Sequence, residues 1–307
     1  MTYAIISDIH GNIHALDAVL TDARERGVDK YIFLGDYYRD FPWPNEVCER
    51  IRGIDGAAVI RGNGEGYLRM RKRTMRGWKK IKQLETLYWN YKAMSRETLK
   101  YYQNLPETAE IHDASGDIHL LHDSKLFFRR PKITLLHSGG YTDAYEQKPF
   151  AKTDYLAMAR QEITEHADVM AEIVALLPGV YLFGHSHVQF YAEFDGKVFI
   201  NPGSCGTALD GDATAAYTLL SHDGNHWVVT ERRVAYDVEA ALAALRNSGM
   251  AGTAWAVAVE KSTLTGLDYF GKLLKHIDTV AKSRGESKYP VSNETYRIAA
   301  ETWKDTL

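Results

Sequence analysis

The sequence predicts an α/β protein built on mixed sheets, with a helical insertion and a helical C-terminal extension. Three features lead there. The chain opens with a strand–helix–strand unit ending in Gly35-Asp36, a dense run of short strands extends from Val180 to Arg232, and helical periodicity returns from Asp237 onward. The expected division is residues 1–235 as one domain, interrupted by a basic helical insertion over about 67–104, and 236–307 as an extension packed on the core.

Tyr3-Ala4-Ile5-Ile6 is apolar throughout, as in a strand buried on both faces. Gly11 permits a sharp turn. From Ile13 to Arg26, residues Ala15, Leu16, Val19, Leu20 and Ala23 make a one-sided apolar stripe, which predicts a helix stopped by Gly27. Tyr31-Ile32-Phe33-Leu34 is the second strand. A crossover of this length makes the two strands parallel, so both end on one edge, where open α/β sheets bind ligands. A helix over 44–52, with Pro44 in its first turn, precedes a third strand over 57–60. The polar loop Arg61-Gly62-Asn63-Gly64-Glu65 then arrives at the same edge.

Between Tyr67 and Tyr102 the character changes. Arg69, Arg71, Lys72, Arg73, Arg76, Lys79, Lys80 and Lys82 crowd ahead of Trp78, Tyr88, Trp89 and Tyr91, which predicts one or two helices inserted as a cap over the site edge. Two readings stay open: a solvated basic face over packed aromatics, or a surface that attracts a phosphorylated or nucleic-acid ligand. Beyond Pro106, a hairpin is predicted around Ser115-Gly116, then a short strand over Ile133–Leu136, a helix over 152–177 and a strand over 180–183. Strands over 189–194, 197–200, 215–221 and 226–232 suggest a second sheet packed on the first, with Asp195-Gly196 as a hairpin turn.

The composition excludes several classes. Among 307 residues, 45% are apolar, enough for a sizeable core, and the net charge of −3 names no partner. Cys48 and Cys205 are too few for a disulfide framework and are not spaced as a structural zinc site. With a start that runs directly into a strand, they make the cytoplasm the expected compartment. No apolar run approaches the roughly 18 residues of a membrane span, so no membrane partner is expected.

The chemistry collects at strand ends. On an extended end, residues i and i+2 face the same way, so Asp8 and His10 would aim an oxygen and a nitrogen at one point, a mixture suited to Zn, Mn or Fe. Asp36 ends the second strand, Asn63 follows the third, His185 and His187 follow the strand over 180–183, and either His122 or His137 adds a further imidazole. These donors exceed what one tetrahedral ion needs. They suit two ions bridged by Asp36, which lies between the other strand ends.

Together, Asp8-x-His10, Gly35-Asp36, Gly62-Asn63, a strand-terminal histidine, Gly184-His185-Ser186-His187 and Asn201-Pro202-Gly203-Ser204 resemble the motifs of the calcineurin-like metallophosphoesterase superfamily, in its compact bacterial and archaeal branch. The resemblance covers roughly residues 1 to 235 outside the insertion. It implies a four-layer αββα sandwich holding two divalent transition metals, Mn, Fe or Zn. Position by position, it assigns Asp8, His10 and His187 to one ion, Asn63, His185 and the strand histidine to the other, and Asp36 to both. His122 is the preferred strand histidine and His137 the reserve. Two dications, two carboxylates and a bridging hydroxide leave about one net positive charge to hold a phosphate oxygen.

The sequence departs from the family twice. The third motif usually continues with a histidine that helps protonate the leaving group; here Gly64 stands in its place, followed by Glu65. A glycine-rich segment of relatives is Tyr37-Tyr38-Arg39-Asp40-Phe41 here. The expected catalytic residues are therefore Asp36, Asn63 and Glu65, with Asn12 and Arg39 as substrate contacts. The leading expectation is a phosphohydrolase for small phosphorylated substrates, phosphodiesters or nucleotides. Two alternatives stand beside it: a metal-bearing binding or regulatory protein with little turnover, and a nuclease. A helical C-terminal extension also leaves room for a homo-oligomer.

Overall fold

The computed structural model describes residues 1–130, 133–137 and 139–304. β1 (Thr2–Ile6), α1 (Ile13–Glu25) and β2 (Lys30–Phe33) form the predicted unit, and β1 pairs in parallel with β2, Ile5 opposite Ile32. α1 buries the expected Ala15, Leu16, Val19, Leu20 and Ala23. α2 (Pro44–Arg52) leads to the short β3 (Ala58–Val59), parallel to β2.

The insertion holds more helix than the sequence predicts: α3 (Asn63–Leu68), α4 (Lys72–Gly77), α5 (Glu85–Ala93) and α6 (Arg96–Asn104), with single 3-10 turns at Trp78–Lys80 and Lys82–Leu84. Its apolar face is turned inward through Met75, Trp78 and Leu87, whereas Arg69, Arg71, Lys72 and Arg73 stand in solvent.

β4 (Ala109–Asp113) and β5 (Gly116–Leu120) form the expected hairpin. α7 (Gly140–Gln147), α8 (Lys152–Glu165) and α9 (Ala167–Ala175) follow, so the helix expected over 152–177 is two helices broken at His166. The periodicity runs through the break because both helices turn apolar residues into one cluster, Ala159 and Ile163 from α8 and Val169 and Ile173 from α9. The strand expected over Ile133–Leu136 is also corrected. The segment is a turn that buries Ile133 and Leu136 in that same cluster, and the Glu162 carboxylate accepts from the Thr134 and Leu135 amides at 2.8 and 2.9 Å.

The remaining strands are β6 (Val180–Leu182), β7 (Gln189–Phe194), β8 (Lys197–Pro202), β9 (Ala215–His222) and β10 (Trp227–Val234). The extension then adds α10 (Val238–Arg246), α11 (Ala254–Thr265), α12 (Tyr269–Ser283) and α13 (Asn293–Lys304).

Two five-stranded mixed sheets result, ordered β10-β9-β1-β2-β3 and β4-β5-β6-β8-β7. Ile5, Ile32, Leu34 and Ile60 of the first meet Ile118, Leu120, Leu182 and Ile200 of the second in a layer between the sheets. α1 and α2 cover the outer face of the first sheet, and α8 and α9 that of the second. The architecture is thus an αββα sandwich. The extension packs its own cluster, including Leu242, Leu273 and Trp303, against Phe41 and Leu209 of loops at the sheet edge. Among the described residues, no helix is long and apolar enough to cross a membrane.

Candidate metal centre

The C-terminal ends of β1, β2, β3, β5 and β6 open on the same edge, and there Asp8, His10, Asp36, Asn63, His122, His185 and His187 converge. The backbone that delivers them is not an extended strand end. β1 stops at Ile6, and Asp8, His10, Asp36, His185 and His187 all take left-handed φ values, between 52° and 68°. Each such residue costs about 1–3 kcal/mol unless its surroundings over-determine it. Here they do. Asp8 N donates to Gly35 O at 3.0 Å, His10 N to Asp36 O at 2.9 Å and Gly206 N to Asp8 O at 3.0 Å. The loops also pass so closely that a Cβ at Gly62 would collide with the Asp36 carboxylate, and one at Gly184 with that of Asp8.

Fixed partners behind the imidazoles decide which nitrogen faces the centre. His187 Nδ1 donates to Thr207 O at 2.6 Å, and His122 Nδ1 donates to Leu34 O at 2.8 Å; a carbonyl can only accept, so each ring presents an Nε2 lone pair. His10 Nδ1 lies 2.8 Å from Asp40 Oδ2, which leaves its Nε2 facing His187 Nε2 at 3.1 Å. Asp8 Oδ1 lies 3.3 Å from His187 Nε2, is buried, and has no hydrogen-bond partner. On the other side, Asn63 Oδ1 lies 3.1 Å from His122 Nε2 and 2.8 Å from His185 Nδ1. Asp36 spans the two groups, with Oδ2 3.8 Å from His10 Nε2 and Oδ1 3.7 Å from His122 Nε2.

Lone pairs aimed at one another in a buried site repel unless a positive charge sits between them. The electrostatics ask for that charge. Burial alone would depress His10, but the carboxylates of Asp40, Asp8 and Asp36 outweigh it and raise its pKa to about 10. Burial likewise opposes ionisation of Asp8, yet His187, His10 and His122 hold it well below the usual carboxylate range. His185 goes the other way: burial and the neighbouring His122 lower it to about 4, so it stays a neutral donor of its lone pair. The donor set, with an orphaned carboxylate oxygen at its centre, fits divalent cations.

His137 is not part of this set. Its Nε2 donates to Arg130 O at 3.0 Å, whereas His122 faces Asn63 and Asp36. Glu65 is fully buried and accepts from the amides of Asp36, Tyr37 and Gly62 at 3.0, 2.9 and 2.8 Å. The expected catalytic role finds no support in this geometry: its oxygens are taken up by amides, tying together the two loops that carry Asp36 and Asn63, while burial and the Asp36 carboxylate raise its pKa to about 7. Asn12 is corrected as well: its Oδ1 caps α1 by accepting from Ala15 N at 3.1 Å, and its Nδ2 donates to Gly206 O at 2.9 Å, so both ends are spent inside the protein. Arg39 stands beside the centre with its guanidinium 5.1 Å over the Trp255 ring.

Sequence reasoning missed Asp40 and Trp255. Asp40 orients His10, and Trp255 Nε1 donates to Asp40 Oδ1 at 2.8 Å, so the extension supports a candidate metal ligand through one intermediary. The available signal was Arg39-Asp40, a charged pair set among Tyr37, Tyr38 and Phe41. Gly64 has an ordinary helical backbone, and its amide donates to Asp36 Oδ1 at 2.6 Å.

A family model described as the calcineurin-like phosphoesterase superfamily domain matches residues 1–224. An uncharacterized protein of Methanocaldococcus jannaschii is 27% identical over 253 residues, which is 78% of this chain and 89% of that one. A metallophosphoesterase from Sphaerobacter thermophilus shares the fold with a TM-score of 0.60 at 24% identity, over 87% of this chain and 100% of its own. A hypothetical protein from Pyrococcus horikoshii does so with a TM-score of 0.64 at 19% identity, over 86% and 98%.

Proposed function

The chain belongs to the calcineurin-like phosphoesterase superfamily, and from that membership we propose that it hydrolyses phosphodiesters or nucleotide phosphate esters at a centre of two divalent transition-metal ions. One observation carries the reading: two clusters of inward-facing donors, Asp8-His10-His187 and Asn63-His122-His185, lie on either side of Asp36. Asp36 would touch both ions. When bound, Mn, Fe or Zn ions lower the pKa of water and offset the charge of a phosphate.

The protein's own contribution is placement. Strained loops aim the ligands, the Leu34 and Thr207 carbonyls and Asp40 fix the imidazoles, and Arg39 offers a bidentate donor to a phosphate arriving at the edge. Hydrolysis joins a water oxygen to phosphorus and breaks a P–O ester bond. The departing oxygen takes its proton from solvent, because Gly64 has no side chain and Glu65 is held by backbone amides. Esters with acidic leaving groups should therefore react fastest.

The test is elemental analysis of the Mn-loaded protein together with hydrolysis of bis(4-nitrophenyl) phosphate before and after chelation. Near-stoichiometric metal and chelator-sensitive turnover are expected; a protein that takes up no metal refutes the reading. Gly64 favours one other reading, a metal-bearing binding protein. Full metal content with no turnover of any ester would select it.

A further inference from the structure

A cleft of about 510 Å³ opens between the insertion and the C-terminal extension, within the size range of small-molecule sites. Five aromatic rings, Tyr67, Trp78, Trp255, Tyr289 and Tyr296, line it together with aliphatic side chains such as Leu84, Leu273 and Ile277, and Arg39 stands at one point of the lining. Tyr67, Met70, Leu274 and Tyr289 all line it and remain 39%, 42%, 38% and 63% exposed. Large apolar side chains left in solvent singly are ordinary, but several around one concavity mark a binding surface.

Charge identifies the occupant. Among the described residues, the Arg39 guanidinium makes no hydrogen bond or ion pair, although it is half-buried and stacked on Trp255 at 5.1 Å. It is held there at a cost, since Arg39 has a φ of 127°, and Asn90 Nδ2 clamps its carbonyl at 2.8 Å. Against the cost of burial, the Asp40 and Asp36 carboxylates nearby keep it charged without pairing with it directly, so its N–H groups stay open to an anion at the cleft. The cleft also adjoins the metal edge by chain geometry. Arg39 lies three positions after Asp36, and Tyr67 lies one helical turn after Asn63 on the same face of α3. Gln83, also in the lining, accepts from Val291 N at 3.0 Å, while its buried Nε2 has no partner.

We propose that this cleft is the subsite for a planar aromatic group carried on the substrate's phosphate ester, with Arg39 pairing the phosphate at the junction of cleft and metal edge. This rests on the phosphoesterase reading and narrows its substrate class to aryl or nucleobase-bearing esters.

The test uses the purified full chain and two anions of equal charge whose P–C bonds resist hydrolysis, diphenylphosphinate and dimethylphosphinate. Fluorescence of Trp78 and Trp255 reports occupancy. The phenyl compound should bind at least tenfold more tightly and alter the emission. Gly77→Phe plugs the cleft: Gly77 lines it, has helical φ and ψ of −68° and −26°, and a Cβ there meets nothing within 4 Å. The variant should lose the tenfold preference and leave dimethylphosphinate affinity unchanged. Thr74→Trp, at an exposed position of the same wall, serves if the first variant does not fold. Equal affinity for the two anions, or a preference that survives a folded plug, overturns the proposal. An inactive protein that prefers diphenylphosphinate removes the hydrolase reading and keeps the subsite. An active, metal-dependent protein without the preference removes the subsite alone.

Discussion

The metal edge and the aromatic cleft meet at Arg39-Asp40 and Trp255, yet they are built by opposite means. At the edge, backbone does the positioning. Residues in costly left-handed conformations are locked by loop-to-loop hydrogen bonds, and glycines allow contacts that a Cβ would forbid. In the cleft, positioning is left to side-chain surfaces from two separate regions, α3 to α5 of the insertion and α11 to α13 of the extension. The difference teaches what each task demands. Holding cations requires donors placed to within a fraction of an ångström, which only an over-determined backbone supplies. Accepting an apolar group requires area and shape, which tolerate substitution.

Substitutions should separate the two regions, the largest effect falling on the edge. Asp36→Asn should lose metal and about 10³-fold or more in rate, because it alone faces both donor clusters. His10→Ala should lose less. Elemental analysis and kcat/KM on one aryl diester check this, and equal losses would remove Asp36 as the shared ligand.

A smaller effect should come from behind the ligands. Asp40→Asn should weaken metal binding by about 10–100-fold, read by competition with a chelator, and leave the preference for diphenylphosphinate intact. Trp255→Phe removes the donor to Asp40 and alters the ring under Arg39, so it should reduce both readouts modestly. If it changes only one, the two regions are uncoupled at this residue.

Gly64 probes the edge more gently. Its backbone is not left-handed, but a Cβ there would sit 3.0 Å from Asp36 Oδ1. Gly64→Ala should therefore lower metal content slightly without touching proton transfer. Gly64→His carries the same crowding and adds a proton donor, so it should help alkyl esters more than aryl ones. Plotting log kcat/KM against leaving-group pKa should give a steep slope in the natural protein and a shallower one in Gly64→His. A shallow slope in the natural protein would show that another group already supplies the proton.

The smallest effect should come from the solvated face of the insertion. Neutralising Arg69, Arg71, Lys72 and Arg73 together should raise KM for anionic esters a few-fold and flatten its dependence on salt. Kinetics unchanged across ionic strength would leave those side chains as solvent cover.

The sandwich and the gathering of the candidate donors at one edge were legible in the chain. Apolar strands, the α1 stripe and polar groups at successive strand ends are local patterns, and periodicity and connection length carry them into a parallel edge. Other features were legible only in part. The donors at Asp8 and His10 were found by an argument about extended strand ends, whereas both residues are left-handed, since backbone conformation there is set by contact with the loops at Gly35 and Gly206. Ile133 to Leu136 read as a strand because a turn that buries residues three apart shows the same short apolar run.

By itself, then, the sequence determined which donors exist and which edge they share, because register along one chain sets both. Tertiary structure alone decided that Glu65 braces two loops, that Asn12 is spent on a cap, that Trp255 stands behind His10 through Asp40, and that an aromatic cleft lies beside the centre. Each of these depends on which atoms meet across long stretches of chain. Asp40 and Trp255 are 215 positions apart, and no local pattern records a contact that exists only once the extension has packed against the edge.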